Sequence, residues 1–130
     1  MTADELQVGD LVFLDGKVVK IIQLSQTMAV VDGHRCEKLD RLTPIPFETI
    51  LNSENGLHKK YFNEMPLWMM GCVGLRIVPN RDVEGWDVTV SNKRYTCFSG
   101  ELFVHDFQHI LRMCGLEENA SKLSPQVGDN

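Results

Sequence analysis

Two Asp-Gly pairs near the start of the chain limit its fold more than any other feature. Asp15-Gly16 separates the apolar runs LVFL and KVVKIIQL, and Asp32-Gly33 follows the run MAVV. A two-residue hairpin turn requires positive φ at both central residues, which glycine adopts freely and aspartate tolerates. The pairs are only 17 positions apart, so we expect several short antiparallel strands between Leu11 and Ile45.

The rest of the chain alternates between further strand patterns and two helix patterns. Proline in Thr43-Pro44-Ile45-Pro46 excludes helix interior there, and a helix of about two and a half turns is predicted from Pro46 to Gly56. Apolar residues at helical spacing predict a second helix over 101–114, ended by Gly115. The strands predicted between the two helices are 66–72, 75–79, 86–91 and 94–98.

These elements together predict an α+β fold that is mainly antiparallel β. The first half is similar in pattern to a small curled sheet or a Src-homology-3-like barrel, which later hairpins would extend. A short central helix and a packed C-terminal helix complete the expected architecture. We predict a single globular domain over residues 1–116 and a flexible C-terminal tail over 117–130, because that tail lacks aromatic residues and periodicity.

Charge and apolar content limit the partners of the protein. The formal net charge is −5, and the basic residues are interleaved with acidic ones along the sequence, so nucleic acid is an unfavoured partner. Weak binding of nucleic acid would use Lys59, Lys60 and nearby aromatic residues. The most apolar stretch, 65–75, is too short to span a bilayer, and we expect a cytoplasmic protein. Its four cysteines lack any Cys-x-x-Cys spacing, which favours reduced thiols.

The sequence His105-Asp106-Phe107-Gln108-His109 is the sharpest chemical motif. Histidines at i and i+4 share one face of a helix and can reach one zinc ion, and the intervening carboxylate is similar to the base of zinc peptidases. Aspartate is one methylene shorter than the usual glutamate, a third ligand is missing, and Arg112 lies on the same face. The helical angles turn this face away from the apolar stripe. We therefore expect no metal and no other cofactor, and interpret His105, His109 and Arg112 as a partner-facing surface.

A second candidate binding region lies in the middle of the chain. Met65-Pro66-Leu67-Trp68-Met69-Met70 is rich in large apolar side chains, and adjacent methionines on a strand cannot both point inward. If Trp68, Met69 or Met70 is exposed, this region forms a protein-contact patch. The alternative is that a second layer of the protein covers both faces of this strand.

One acidic loop is similar to the start of a calcium-binding loop. Oxygen-bearing residues alternate from Asn80, and Gly85 occupies the sixth place. Position twelve is Ser91 rather than the glutamate that closes such a loop, so a solvated hairpin loop is expected.

Three segments resemble a known family. LVFLDGKVVKI, LTPIPFETILNSENGL and FVHDFQHILRMCGL are together similar to small uncharacterised proteins frequent in Bacteroidetes genomes, often in phage-derived or mobile regions. That family shares a β-rich start, a Leu-Thr-Pro-Ile-Pro linker and an aromatic-Val-His-x-Leu-Gln ending, where this chain has Phe103 and Phe107. The stretch from about Lys59 to Ser99 carries little resemblance. The family has no assigned activity, so the resemblance implies an accessory protein and supplies no catalytic residues.

Two functional hypotheses follow from these patterns. The leading one is a non-enzymatic protein-interaction module that contacts another protein, or a second copy of itself, through Trp68, Met69 and Met70 or through His105, His109 and Arg112. The alternative is a metal-dependent hydrolase that uses His105, Asp106 and His109.

Overall fold

The computed structural model describes residues 1–52, 56–62, 65–71, 73–90, 92–98 and 100–126. It contains two five-stranded antiparallel sheets, one of them curled into a half-barrel, and a C-terminal helical region. The predicted fold class is confirmed. Among the predicted features, Cys72, Ser91 and the last four residues of the tail lie outside the described residues.

The first sheet is the curled half-barrel and is built around the two Asp-Gly turns. Its strands are β1 (Leu11–Leu14), β2 (Lys17–Leu24), β3 (Met28–Val31), β4 (Arg35–Lys38) and β5 (Leu42–Thr43), in the spatial order β4-β3-β2-β1-β5. Asp15 and Gly16 have φ values of 52° and 79°, and Leu14 pairs with Lys17 across them, as the turn chemistry predicts. A register shift between Ile21 and Gln23 helps the long β2 to bend.

The second sheet follows as an uninterrupted meander. Its strands are β6 (His58–Phe62), β7 (Met65–Met70), β8 (Val73–Asn80), β9 (Gly85–Val90) and β10 (Lys93–Cys97), in the order β10-β9-β8-β7-β6. The four strands predicted here are present, and β6 is an additional strand at one edge. One face of this sheet carries buried residues such as Leu75, Val88 and Val90.

The predicted central helix is much shorter than expected. Residues 53–55 of the predicted helix lie outside the described residues. Among its other residues only Phe47–Ile50 is helical, as a 3₁₀ turn, and Leu51 already pairs with Leu57 in an isolated bridge. Asn52, with a φ of 60°, turns the chain where the helical pattern would have continued. The apolar residues of this segment still pack inward, since Phe47 and Ile50 are buried. Their i, i+3 spacing suits a single 3₁₀ turn as well as an α-helix.

The C-terminal helix packs between the two sheets as part of the core. Helix α1 (Val104–Met113) buries Phe107, Ile110 and Leu111, and Gly115 ends it with a φ of 77°. Within the segment predicted as a tail, Glu117–Ser121 forms a short helix, α2. Ala120 and Leu123 are buried in the core formed by α1 and the second sheet. Ordered packing therefore extends beyond residue 116.

Candidate functional site

The polar face of α1 is covered rather than exposed. His105 is only 3% exposed, and the side chains of His109 and Arg112 are 20% and 19% exposed. The prediction that this face points away from the protein interior is wrong, because the N-terminal segment lies over it. Helical angles identify the two faces of a helix but not the element that packs against each of them.

A buried carboxylate connects the N-terminal segment to this face. Asp10 is fully buried, with its Oδ2 at 2.6 Å from His109 Nε2 and its Oδ1 at 2.6 Å from Arg112 Nη1. The backbone N–H of Gln7 also donates to Asp10, at 2.8 Å. We call Asp10, His109 and Arg112 the polar tie. Both charges of the Asp10–Arg112 pair are used within the chain, which is typical of a structural pair.

Glycine is required next to the polar tie. Gly9 has a φ of 97°, and a Cβ at this position would lie 3.0 Å from Arg112 Nη2. A larger residue would therefore be strained in its backbone and crowd the guanidinium. The Val8-Gly9-Asp10 entry into β1 is thus shaped by its contact with α1.

Gln108 forms a second internal connection from α1. Its side chain is fully buried and accepts a hydrogen bond from Leu11 N–H at 2.8 Å. Its amide donates to the carbonyl oxygens of Gly9, at 3.3 Å, and Ala120, at 3.1 Å. Gln108 therefore joins α1 to both β1 and α2.

Each of the two histidines of the helix lies beside a carboxylate. His109 Nε2 is engaged with Asp10, and His105 Nε2 lies 3.4 Å from Asp106 Oδ1. The described part of the chain holds no group of three or more His, Cys, Asp and Glu side chains able to bind a metal ion.

His105 is enclosed by aromatic rings. Its imidazole stacks on Phe103, with ring centroids 5.9 Å apart, and meets His109 edge to face at 5.7 Å. Its Nδ1 has no hydrogen-bond partner among the residues that the structure describes. Burial lowers the pKa of His105, against the opposing effects of the Asp106 and Asp10 carboxylates.

A cysteine lies near this region but is poorly suited to nucleophilic catalysis. Cys97 and His109 line the same cleft, beside Asp106. Burial raises the pKa of the Cys97 thiol to about 11, and the Asp106 and Asp87 carboxylates add to the effect. Since the thiolate is the reactive form, Cys97 is protonated and unreactive near neutral pH.

One carboxylate at the end of the acidic loop that is similar to a calcium site is hydrogen-bonded within the sheet. Asp87 Oδ1 accepts hydrogen bonds from Asn80 Nδ2, at 3.1 Å, and Thr96 Oγ1, at 2.9 Å. These two bonds lower the pKa of Asp87. The carboxylate therefore joins β8, β9 and β10.

An apolar groove lies on the inner face of the second sheet, and both tryptophans of the chain line it. Trp68 on β7, Ile77 on β8 and Trp86 on β9 form one wall, and their register places all three on the same face. We call this feature the tryptophan groove. Its volume is about 460 Å³, and its remaining lining residues are Pro46, Phe47, Glu48, Leu51, Gly100, Glu101 and Leu102.

The groove walls are held in place by specific contacts. Trp86 Nε1 donates to the carbonyl oxygen of Gly100 at 3.3 Å. Phe47 packs edge to face on Phe107 of α1, with centroids 5.4 Å apart. On the β6 side, Lys59 Nζ lies 5.9 Å from the centroid of the Trp68 ring. The groove is therefore largely preformed, as ligand pockets usually are.

The three residues of the predicted apolar patch lie in different environments. Trp68 lines the groove and is half-buried, whereas Met70 is buried in the core at 3% exposure. Met69 lies on the opposite face, paired with His58 and Gly74, and is half-buried. Trp86 and the 46–51 wall were not identified from the sequence. Trp86 aligns with the wall only through the β8–β9 register.

No match to this chain is found among family models, curated proteins or solved structures. Among the described residues, no helix has both the length and the apolarity required to cross a membrane.

Proposed function

We propose that the protein is a non-enzymatic interaction module that binds a segment of another protein in the tryptophan groove. The observation that carries this proposal is the open apolar groove of about 460 Å³ with both tryptophans in its wall. Tryptophan is enriched among the residues that dominate binding energy at protein interfaces. A partner side chain that entered the groove would gain apolar burial against walls that already exist.

Charge beside the groove defines the partner segment further. Glu48 is exposed and lines the groove together with Glu101. A large apolar side chain followed by a basic residue would place its cation near the exposed Glu48 carboxylate. The polar face of α1 is not part of this surface, because the polar tie occupies it.

The chain contains a convenient reporter of this binding. Its only two tryptophans line the groove, so their fluorescence responds to any ligand that enters. Random peptides displayed on phage can be selected against the protein, and the enriched peptides titrated while tryptophan emission is followed. We expect enriched peptides that share an apolar residue next to Lys or Arg and that shift the emission.

Neighbouring positions on β8 provide a matched pair of variants. Ile77 lines the groove, whereas Val78 points to the opposite face and is 42% exposed. We expect Ile77→Lys to weaken the selected peptides at least about tenfold and Val78→Lys to leave their affinity unchanged. Circular dichroism would verify that both variants are folded.

Three results would refute the proposal. The first is a selection that enriches no peptide, and the second is equal binding by Ile77→Lys and the unsubstituted protein. The third is a dimer, measured by light scattering, that Ile77→Lys dissociates, since the occupant of the groove would then be a second copy of this chain.

A further inference from the structure

The outer face of the second sheet carries a row of cations that the sequence does not show. Lys60 pairs with Leu67, and Thr89 pairs with both Arg76 and Arg94. The antiparallel register of the Trp68–Leu75 pair places Leu67 next to Arg76 on the neighbouring strand. One row across the five strands therefore contains Lys60, Leu67, Arg76, Thr89 and Arg94. We call Lys60, Arg76 and Arg94 the basic row. Along the sequence these residues are interleaved with acidic ones, and only the strand register brings them together.

The basic row lies on the opposite side of the sheet from the tryptophan groove. Side chains alternate along a strand, so Arg76 faces away from Leu75 and Ile77, and Leu67 faces away from Trp68. Lys60, Arg76 and Arg94 are all exposed. Adjacent strands are about 4.8 Å apart, so the row extends over roughly 19 Å.

The cations of the basic row are not neutralised within the described chain. None of the three forms an ion pair within 4 Å with a residue that the structure describes. Arg94 contributes to the lowered pKa of the Asp87 carboxyl, which already accepts hydrogen bonds from Asn80 and Thr96. A protein with a formal net charge of −5 therefore presents local positive charge on this face.

We infer that the basic row is a second binding surface, for an acidic and extended protein segment. An extended segment of about six residues spans the roughly 19 Å of the row at ~3.3 Å per residue. Because its side chains alternate, carboxylates at every second position place about three acidic groups along the side that faces the three cations. The surface is distinct from the tryptophan groove and does not depend on the function proposed for that groove.

The residues between the cations favour a peptide over a nucleic acid. Leu67 and Thr89 occupy these intervening positions. Surfaces that bind single-stranded nucleic acid combine basic grooves with aromatic side chains on which the bases stack. Aliphatic and hydroxyl groups instead suit the backbone and small side chains of an extended peptide.

The test compares two charge-reversed proteins of equal net charge. Arg76→Glu with Arg94→Glu alters the basic row, and Arg35→Glu with Lys38→Glu alters two exposed cations of β4 in the other sheet. Each pair of substitutions changes the formal charge by −4, from −5 to −9. The probe is a fluorescein-labelled peptide of six Glu-Thr repeats, and binding is measured by fluorescence anisotropy at low and physiological salt.

We expect the peptide to bind the unsubstituted protein at low salt and to weaken as salt rises, as exposed charge pairing requires. Charge reversal in the basic row should reduce the affinity at least about tenfold, whereas the β4 variant should bind within about twofold of the original protein. If the charge-reversed row impairs folding, Arg76→Gln with Arg94→Gln removes the same cations more mildly.

The inference is overturned if the peptide does not bind at low salt, or if the β4 variant loses as much affinity as the basic-row variant. If a twelve-nucleotide oligothymidylate binds more tightly than the acidic peptide, the surface binds nucleic acid and the inference is wrong. Self-association at low salt that disappears in the basic-row variant would make a second copy of the chain the occupant, and would equally refute the inference.

Discussion

The side chains of the polar tie have their binding partners within the chain, whereas the tryptophan groove is open. Asp10, His109 and Arg112 are the kinds of side chain that perform chemistry, yet they bind one another at 2.6 Å beneath the N-terminal segment. Trp68 and Trp86 are apolar core-type residues, yet they line an open groove. Residue type alone would assign function to the first region, whereas packing assigns it to the second.

Removal of the buried Asp10 carboxylate should cause the largest loss in the free energy of unfolding. Asp10→Ala leaves the Arg112 cation and His109 without their partner in a covered site, and breaking a buried pair in this way costs about 3–5 kcal/mol. We expect the free energy of unfolding to fall by that amount in urea denaturation. Arg41→Gln, which removes an exposed ion pair with Asp15, should have a much smaller effect.

A small effect of Asp10→Ala would break the contrast. Stability within about 1 kcal/mol of the unsubstituted protein would mean that the polar tie is hydrated, and its residues would then be available to a ligand.

The second-largest effect is expected at Gln108. Gln108→Ala leaves the buried N–H of Leu11 and the carbonyl oxygens of Gly9 and Ala120 without this side chain as partner. An unsatisfied buried polar group costs about 1–3 kcal/mol, so we expect a loss of that size in the free energy of unfolding. The exposed Gln26 supplies the control, and Gln26→Ala should leave the urea midpoint nearly unchanged. Equal losses in the two variants would contradict a structural role for Gln108.

Local patterns predicted most of the fold. The Asp-Gly turns, the later strands, helix α1 and its end at Gly115 each depend on a few adjacent residues, and these predictions agree with the structure. The helix predicted from Pro46 is wrong in length because its apolar spacing also fits one 3₁₀ turn. Helix α2 was missed because Ala120 and Leu123 are too few apolar residues to show a period.

The candidate site was predicted less well because long-range contacts create it. Trp68 was singled out from its apolar surroundings, but Trp86 lies 18 positions away and joins it only through sheet register. Asp10 and His109 are 99 positions apart, and no local pattern indicates their contact. The basic row likewise exists only in the paired sheet.

A smaller effect is expected when one wall of the groove loses its polar anchor. Trp86→Phe keeps an aromatic wall but removes the indole N–H that donates to Gly100. This bond is partly solvated, so we expect a loss of at most about 1 kcal/mol in the free energy of unfolding. Emission from the remaining Trp68 should still respond to a groove ligand. A loss as large as that of Asp10→Ala would show that the groove is an essential part of the core, which removes the contrast. Tyr61→Phe, at a site 66% exposed, is the control.

The smallest effect we expect is on the pH dependence of stability, and it tests whether the polar face of α1 is enclosed. Burial lowers the pKa of folded His105 below its ordinary value of 6.5, so the unfolded chain takes up a proton at a pH where the folded protein remains neutral. Stability should therefore be retained above about pH 6.5 and fall as the pH is lowered from there toward the folded pKa. His105→Phe should flatten this fall, measured as urea midpoints from pH 7.5 to 5.

The matched control for that measurement is the exposed histidine of β6. His58→Gln should leave the pH profile unchanged, because His58 is exposed on β6 and is not part of the enclosed face of α1. His109, which faces Asp10, is present in all three proteins. If His105→Phe and His58→Gln gave the same profile as the original protein, His105 would be solvated. Water would then reach the face of α1 that carries the polar tie, and that face would again compete with the tryptophan groove as a binding surface.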